Sequence, residues 1–399
     1  MSKKHILVIS QYFYPEQFRI NDMCCEWVKR GYKVTVLTGI PNYPQGKFYE
    51  GYGLNKKRKE TWNGIDIIRI PLIPRGSTPI GLIMNYFSFP ISGWFWNLLN
   101  KMKADYVFMF ETSPMTQCKI GVWYAKKHKV PLYLYVQDLW PENVEIITGI
   151  HSKCIIAPIQ HMVDKIYKNC TEIFVTSPSF AKTICKRGVQ KDKVHYWPQY
   201  AEEFYYPMDP KTVPQINDKN KFKIIFTGNI GYAQGLDILP KAAKILKEKN
   251  INDIQFVVVG EGRYCEQLKK EIEDVKEMFL MLPKQPAQKI PELLAACDVA
   301  FLSFQDMDLW KMTIPAKLQS YMACGMPIIA SAEGETENVI NVAKCGICVP
   351  LGDSVKLADA ITKMKNMDLP SLGEKSRKYF LEHFEKKHLM DEIDIYFNI

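Results

Sequence analysis

Phe226-Thr-Gly-Asn-Ile-Gly-Tyr-Ala-Gln-Gly-Leu236 stands between a short apolar run at 223–226 and a segment of helical spacing over 237–249. Strand, glycine-rich turn and amphipathic helix form the opening unit of a wound α/β layer. Here that opening falls in the middle of the chain. Just before it, 205–220 (YYPMDPKTVPQINDKN) holds three prolines and almost no apolar periodicity, which reads as a linker. Beyond it the alternation goes on, with a helix over 264–275 and strands at 255–259, 300–303, 328–331 and 346–349.

The same grammar runs upstream of the linker. Apolar, β-branched stretches at 5–10, 33–38, 66–70, 106–110, 132–136 and 172–176 read as buried parallel strands. A helix over 21–30 stops at Gly31, a C-terminal cap signal. The expected fold is therefore α/β, with two tandem Rossmann-like domains and an interdomain cleft. The first domain takes 1–204, the linker 205–220 and the second domain 221–374. An amphipathic helix, at about 375–397 within a final segment 375–399, is expected to return toward the first domain.

Composition fits this. The 399 residues are 47% hydrophobic and 24% charged, which excludes a disordered tail, a collagen-like repeat and a coiled coil. The formal charge of +9 is unevenly placed. Residues 1–200 carry 27 basic and 14 acidic side chains, and 201–399 carry 25 and 29. A basic first half suits a membrane surface, a nucleic acid or a phosphorylated substrate, or serves solubility alone. No nucleic-acid module is recognisable, so no nucleic-acid partner is expected.

Eleven cysteines form no framework, and the opening Met1-Ser-Lys-Lys-His5 runs into a strand rather than a secretory leader. Reduced thiols in the cytoplasm are the expectation. Cys345-Gly-Ile-Cys348 is half a zinc or redox motif without a second half, and reads better as core packing. The aromatic stretch 80–100 has the length of a membrane span but contains Asn85, Pro90 and Asn97. It is open to three readings: a buried or partly buried helix pair, an interfacial membrane contact, or a span.

Five segments carry candidate chemistry, four of them directly after a strand. The loop 11–21 lacks Gly-x-Gly-x-x-Gly, which argues against a dinucleotide cofactor, and offers Glu16, Arg19 and Asn21 to a polar acceptor, unless it is only a packed aromatic loop. Asp138, in Gln137-Asp-Leu-Trp-Pro-Glu142, can bond a sugar hydroxyl or take a proton, or can cap the helix that follows. Gly228, Asn229, Gly231 and Gln234 lie in the glycine turn, where backbone N–H groups can meet an anion, although a plain tight turn needs glycine too. Gly262 and Arg263 end Val259-Gly-Glu-Gly-Arg263, and a guanidinium there suits a diphosphate if it is more than a solvated surface arginine. Ala316, Lys317 and Leu318 open a helix behind Pro315, a second anion cradle or an ordinary capped helix.

Together these segments resemble the GT-B-fold, family 4 retaining glycosyltransferases, in a branch that builds bacterial surface polysaccharides. The resemblance runs from Tyr12-Phe-Tyr-Pro-Glu16 through Asp138-Leu-Trp-Pro-Glu142 and Gly228-Asn-Ile-Gly231 to Tyr321-Met-Ala-Cys-Gly-Met-Pro327. It implies transfer of a sugar, hexosyltransferase-type, from a nucleotide diphosphate such as a UDP-sugar to a lipid-diphosphate-linked saccharide. It further implies a cytoplasmic enzyme held peripherally at the inner face of the cell membrane through its basic first domain.

Three departures stand out. Pro15-Glu-Gln-Phe18 replaces the family's glycine pair in the first loop. Asn229 and Gln234 occupy the places of an Arg and a Lys that neutralise the donor diphosphate. The paired-glutamate motif is eroded, with Met312 and Ser320 at its two places, so Ser320 itself, or Glu335 and Glu337, must serve the donor instead. Catalysis is therefore expected to fall to Asp138, Arg263 and Lys317, without a metal or other cofactor. Asp306-Met-Asp308 resembles the metal motif of the other major transferase fold, but that fold would not give two strand–helix alternations. A non-hydrolysing UDP-sugar epimerase and a non-catalytic membrane-docked nucleotide-sugar binder are the competing readings.

Overall fold

The computed structural model of the chain describes residues 3–76, 78–149, 151–209 and 213–397. Two compact units emerge, Met1–Thr176 with Phe180–Trp197, and Ser177–Ser179 with Pro198–Ile399. Each is built round one twisted sheet.

The first sheet contains β1 (His5–Ile9), β2 (Lys33–Gly39), β3 (Lys59–Trp62), β4 (Ile65–Ile70), β5 (Tyr106–Glu111), β6 (Leu132–Val136), β7 (Glu172–Val175) and β8 (Val194–Tyr196). Their order is β3-β4-β2-β1-β5-β6-β7-β8, parallel throughout except for the β3–β4 hairpin. The helices are α1 (Arg19–Lys29), α2 (Pro79–Leu99), α3 (Cys118–His128), α4 (Glu142–Thr148), α5 (Lys153–Asn169) and α6 (Pro178–Lys186). β1, β2, β5 and β6 are almost wholly buried, as their uninterrupted apolar runs require when helices cover both faces.

The second sheet contains β9 (Phe222–Thr227), β10 (Ile254–Val259), β11 (Phe279–Leu282), β12 (Val299–Ser303), β13 (Ile328–Ser331) and β14 (Gly346–Val349), all parallel in the order β11-β10-β9-β12-β13-β14. Its helices are α7 (Ile238–Glu248), α8 (Cys265–Glu271), α9 (Ile290–Ala295), α10 (Asp308–Lys311), α11 (Ala316–Ala323), α12 (Glu335–Ala343), α13 (Ser354–Met364), α14 (Leu369–His383) and α15 (Lys386–Phe397). Alternate strand residues feed two cores. Ile224, Phe256 and Phe301 pack with α7 and α13, while Ile225, Val257 and Leu302 pack with α11 and α12. In both sheets strand order reverses beside the first strand, between β1 and β5 and between β9 and β12. Ligands of open α/β sheets bind at such switch points.

Several expectations need correction. The segment 80–100 is one helix, not a pair. Pro90 lies inside it, and a proline there frees the carbonyl four residues back. That carbonyl, on Tyr86, accepts a hydrogen bond from Thr116 Oγ1 at 2.6 Å, so the helix continues. Among the described residues no helix is long and apolar enough to cross a membrane, which removes the spanning reading. The C-terminal segment forms two helices rather than one over 375–397. Phe384, fully buried in the second unit's core, leaves helical geometry between them. Ile216, within the linker segment, is buried in the same core. Pro210, Lys211 and Thr212 of that linker lie outside the described residues. The helix over 264–275 ends at Glu271 and continues as a 3-10 turn over Glu273–Met278.

The Thr116 bond makes a test of α2. Thr116→Val keeps the shape but leaves the Tyr86 carbonyl without its partner, and should destabilise the first unit by about 1–3 kcal/mol. Thr116→Ser should retain most of that stability. Urea unfolding of the two variants beside the parent reads the difference.

Candidate active site

The turn after β9 is built against the turn after β10. Gly228 N donates to Val259 O (2.9 Å), Ile230 N to Glu261 O (2.9 Å) and Tyr264 N to Ile230 O (3.0 Å). The two chains approach so closely that a Cβ on Gly260 would stand 1.8 Å from Gly228 O, and one on Gly262 2.2 Å from Ile230 O. Gly260 also has φ +155°, so glycine is required there on both counts. Gln234 Oε1 accepts from Gly231 N (3.1 Å) and from Asn229 Nδ2 (3.3 Å), which closes the loop on itself. The loop after β12 joins them, with Gln305 N on Ala233 O and Ser303 Oγ on Gln234 O.

This geometry revises the expected anion cradle. The N–H groups of Gly228, Ile230 and Gly231 are already used inside the loops. A 3-10 turn over Tyr232–Gln234 and Gly235 in left-handed geometry separate the glycine turn from α7. At the start of α11, Leu318 N donates to Pro315 O, and Ser320 Oγ donates to Ala316 O within the helix. Ala316 is the first residue of that helix and the Leu318 side chain is buried. Glu335 is buried at the start of α12, where it accepts a hydrogen bond from Ser179 Oγ at 2.5 Å. Gly228 and Asn229 are exposed at the crest of the turn.

Lys317 supplies what the backbone does not. Its ammonium lies over the Phe226 ring, 3.9 Å from the centroid, and a Cβ on Gly228 would be 3.4 Å from its Nζ. It has no carboxylate partner among the described residues, and burial pushes its pKa down to about 7. An ammonium held this way gains from any anion placed on the Gly228 turn. Arg263 is exposed on the adjoining loop, also without an ion-pair partner among the described residues. Asp306, by contrast, pairs with Lys311 at 3.4 Å, and Asp308 begins α10.

The first unit gathers a hydrogen-bonded cluster at the carboxyl ends of β5 and β6. Asp138 Oδ2 accepts from Ser113 N and Ser113 Oγ, both at 2.7 Å. Trp140 Nε1 and Asn143 Nδ2 converge on the same Ser113 Oγ. Asp138 is therefore not a helix cap, and α4 begins at Glu142 behind Pro141, without a side-chain cap. Burial raises the Asp138 pKa. Beside it Glu111 is fully buried, with Oε2 accepting from Asp138 N and Oε1 lacking a hydrogen-bond partner. Burial first, and then the Asp138 charge, hold its pKa well above the carboxylate range. Sequence reasoning passed over Glu111 and Ser113, although Glu111-Thr-Ser-Pro114 directly follows a strand.

The first loop departs from expectation. Glu16 is buried and its carboxylate ties down backbone, with Oε1 accepting from Asn42 N and Tyr43 N and Oε2 from Phe13 N. Burial lifts its pKa to about 7. Asn21 Nδ2 donates to Glu16 O, while Arg19 is the half-buried first residue of α1. Glu16 and Asn21 thus fix the loop's shape rather than reach outward.

The family model "Glycosyltransferase Family 4" matches residues 18–199, and "Glycosyl transferases group 1" matches 210–384. N-acetyl-alpha-D-glucosaminyl L-malate synthase of Bacillus anthracis is 30% identical over 70% of this chain and 74% of its own length. The chain belongs to the family 4 glycosyltransferases. Among its family 4 relatives, the putative colanic acid biosynthesis glycosyl transferase WcaI of Escherichia coli is 25% identical over 78% of each chain. The probable glycosyltransferase WbjE of Pseudomonas aeruginosa is 26% identical over 63% of this chain, and the chain spans 64% of WbjE's length. The fold is GT-B. Sucrose-phosphate synthase from Thermosynechococcus elongatus superposes with a TM-score of 0.77 at 16% identity, covering 99% of this chain and 98% of that one. Anabaena HepE, solved with UDP and glucose, gives 0.70 at 13% identity over 99% of each chain.

For this glycosyltransferase the Lys317 environment sets a pH signature. The protonated ammonium is the form that holds an anion, so the affinity for an anion placed beside it should be highest below about pH 7 and fall as pH rises through it. The bound anion draws the ammonium's pKa back up, and binding therefore takes up a proton. The sign for the unliganded fold is opposite: a depressed lysine costs stability at low pH and releases that cost as pH climbs from about 7 toward 10.5. Calorimetric titration with UDP across this range should show weakening of up to about tenfold per pH unit. Lys317→Ala should flatten the profile.

Proposed function

We propose that the chain is a retaining, hexosyltransferase-type enzyme that moves a sugar from a UDP-sugar to a lipid-diphosphate-linked saccharide in bacterial surface polysaccharide assembly, working at the inner face of the cell membrane. The observation that carries the donor half is the uncompensated Lys317 ammonium beneath the exposed Gly228–Asn229 turn, at the switch point of the second sheet. HepE's complex with UDP and glucose and WcaI's part in colanic acid biosynthesis support the donor class and the setting.

Retention without an evident protein nucleophile implies front-face substitution. The bond from the anomeric carbon to the diphosphate oxygen breaks, and an acceptor hydroxyl attacks that carbon from the same side. The departing diphosphate takes the hydroxyl proton. Lys317 and Arg263 neutralise the charge that grows on the leaving oxygen, which is the largest contribution such a site can make. Asp138, oriented by Ser113, positions a sugar hydroxyl. We assign the leaving group's neutralisation to these two side chains rather than to a metal ion.

Incubating the purified chain with UDP-sugars and a polyprenyl-diphosphate saccharide should release UDP only when the acceptor is present, and EDTA should leave the rate unchanged. A new UDP-sugar formed without acceptor would instead make it an epimerase, and tight binding with neither outcome a non-catalytic binder. Lys317→Ala and Arg263→Ala should each lower turnover about tenfold or more, equal to about 1.4 kcal/mol. Parent-like turnover in both variants would overturn the assignment.

A further inference from the structure

Helix α2 has its polarity turned inside out. Asn85, Phe89, Gly93 and Asn97 face the protein, whereas Ile83, Phe87, Ile91, Trp94, Phe95 and Leu98 are exposed. Their spacing puts the exposed set along one side of the helix. Of the twenty large hydrophobic side chains exposed among the described residues, nine belong to this helix. The sequence of α2 contains no charged residue. Contiguous apolar surface of this kind marks a docking face in a water-soluble fold.

The inward side explains why the arrangement is stable. Asn85 Oδ1 accepts from Gln11 Nε2 at 2.8 Å and its Nδ2 donates to Ile73 O at 2.7 Å. A Cβ on Gly93 would lie 2.2 Å from Ile120 Cδ1, so α3 packs directly on the helix. The polar residues of α2 are thus fitted to the protein, and its apolar residues are left for something else.

The surroundings of the helix say what that is. Lys127 Nζ reaches Asn97 O and Asn100 O, which brings the basic end of α3 to the end of α2. Lys101, Lys103, Lys126 and Lys129 cluster there, all exposed and without carboxylate partners among the described residues. An apolar helix face bordered by unpaired lysines is complementary to a bilayer whose headgroups are anionic. The α2 face of a second copy, which carries no charged residue, would offer these lysines no anion.

We infer that α2 lies along the surface of an anionic lipid bilayer with its Ile83–Leu98 face sunk among the acyl chains, and that this holds the Asp138 cluster at headgroup depth. The linkage is short. The residue after Asn85 is Tyr86, whose ring lies 6.1 Å from that of Trp140, and Trp140 donates to the Ser113 hydroxyl that orients Asp138. The part concerning the Asp138 cluster rests on the lipid-linked acceptor proposed above, and the docking face does not.

Vesicles of phosphatidylethanolamine and phosphatidylglycerol should sediment the full chain, and vesicles of phosphatidylcholine should do so at least about tenfold less well. Trp94 emission should shift to the blue on binding and be quenched by brominated acyl chains. Ile83→Glu combined with Phe87→Glu and Phe95→Glu should abolish both signals while UDP affinity stays at the parent value, which shows that the variant is folded. Its turnover should fall with vesicle-embedded acceptor and hold with detergent-dispersed acceptor. Failure of the parent to bind anionic vesicles, or equal binding by the variant, overturns docking; so does a dimer in sedimentation velocity that the triple variant dissolves. Parent binding together with turnover of a water-soluble acceptor overturns the acceptor reading alone.

Discussion

The lock between the turns after β9 and β10 is the constraint on which the donor side of this glycosyltransferase depends. Two backbone segments pass so closely that Gly260 and Gly262 leave no room for a side chain. Their N–H groups satisfy each other's carbonyls. Rigidity of this kind has a chemical cost, because amides bonded within the protein are not available to a ligand. Any positive charge for a ligand at this turn must then come from side chains, and the Lys317 ammonium is the one that lies under Gly228. Asn229 and Gln234 fit the same logic. Gln234 Oε1 closes the turn, a task that a lysine or arginine in its place could not perform because neither has an acceptor.

The first unit solves the reverse problem. Its loops are held by carboxylates as well as by backbone bonds such as that from Gly76 N to Gly46 O. Glu16 gathers three backbone N–H groups from two loops, and Asp138 holds the Ser113 turn. A carboxylate accepts several hydrogen bonds at once and so can pin irregular chain that makes no ladder of its own. Ser113 then serves as a hub, with Trp140 and Asn143 donating to its hydroxyl while its own proton goes to Asp138.

Much of this was legible in the residues. Buried parallel strands announce themselves as unbroken apolar runs, which is why β1, β2, β5, β6, β9, β10, β12 and β13 were all placed within a residue or two. β3 was missed because Lys59-Glu-Thr-Trp62 pairs antiparallel at an exposed sheet edge, where no apolar face is needed. The single course of α2 could not be read from its sequence, since it depends on Thr116, thirty residues after Tyr86, satisfying the carbonyl that Pro90 frees. In the candidate site, Asp138, Lys317 and the glycines stood out by their place after strands or at the start of a helix. The working role of Glu16 did not, because a buried acid holding backbone and an exposed acid holding substrate look alike as letters. The break at Phe384 was equally hidden, for the residue leaves the helix to fill a core that only the folded unit defines.

Glu111 beside Asp138 has one further consequence. Two acids at the ends of neighbouring strands suggest a doubly negative cluster, yet burial raises the pKa of both and lifts that of the inner one well above the carboxylate range. The pair therefore presents less negative charge than its composition implies. Weakening the charge of one acid by burial lets the two stand side by side at a lower electrostatic cost than a pair of full charges would carry.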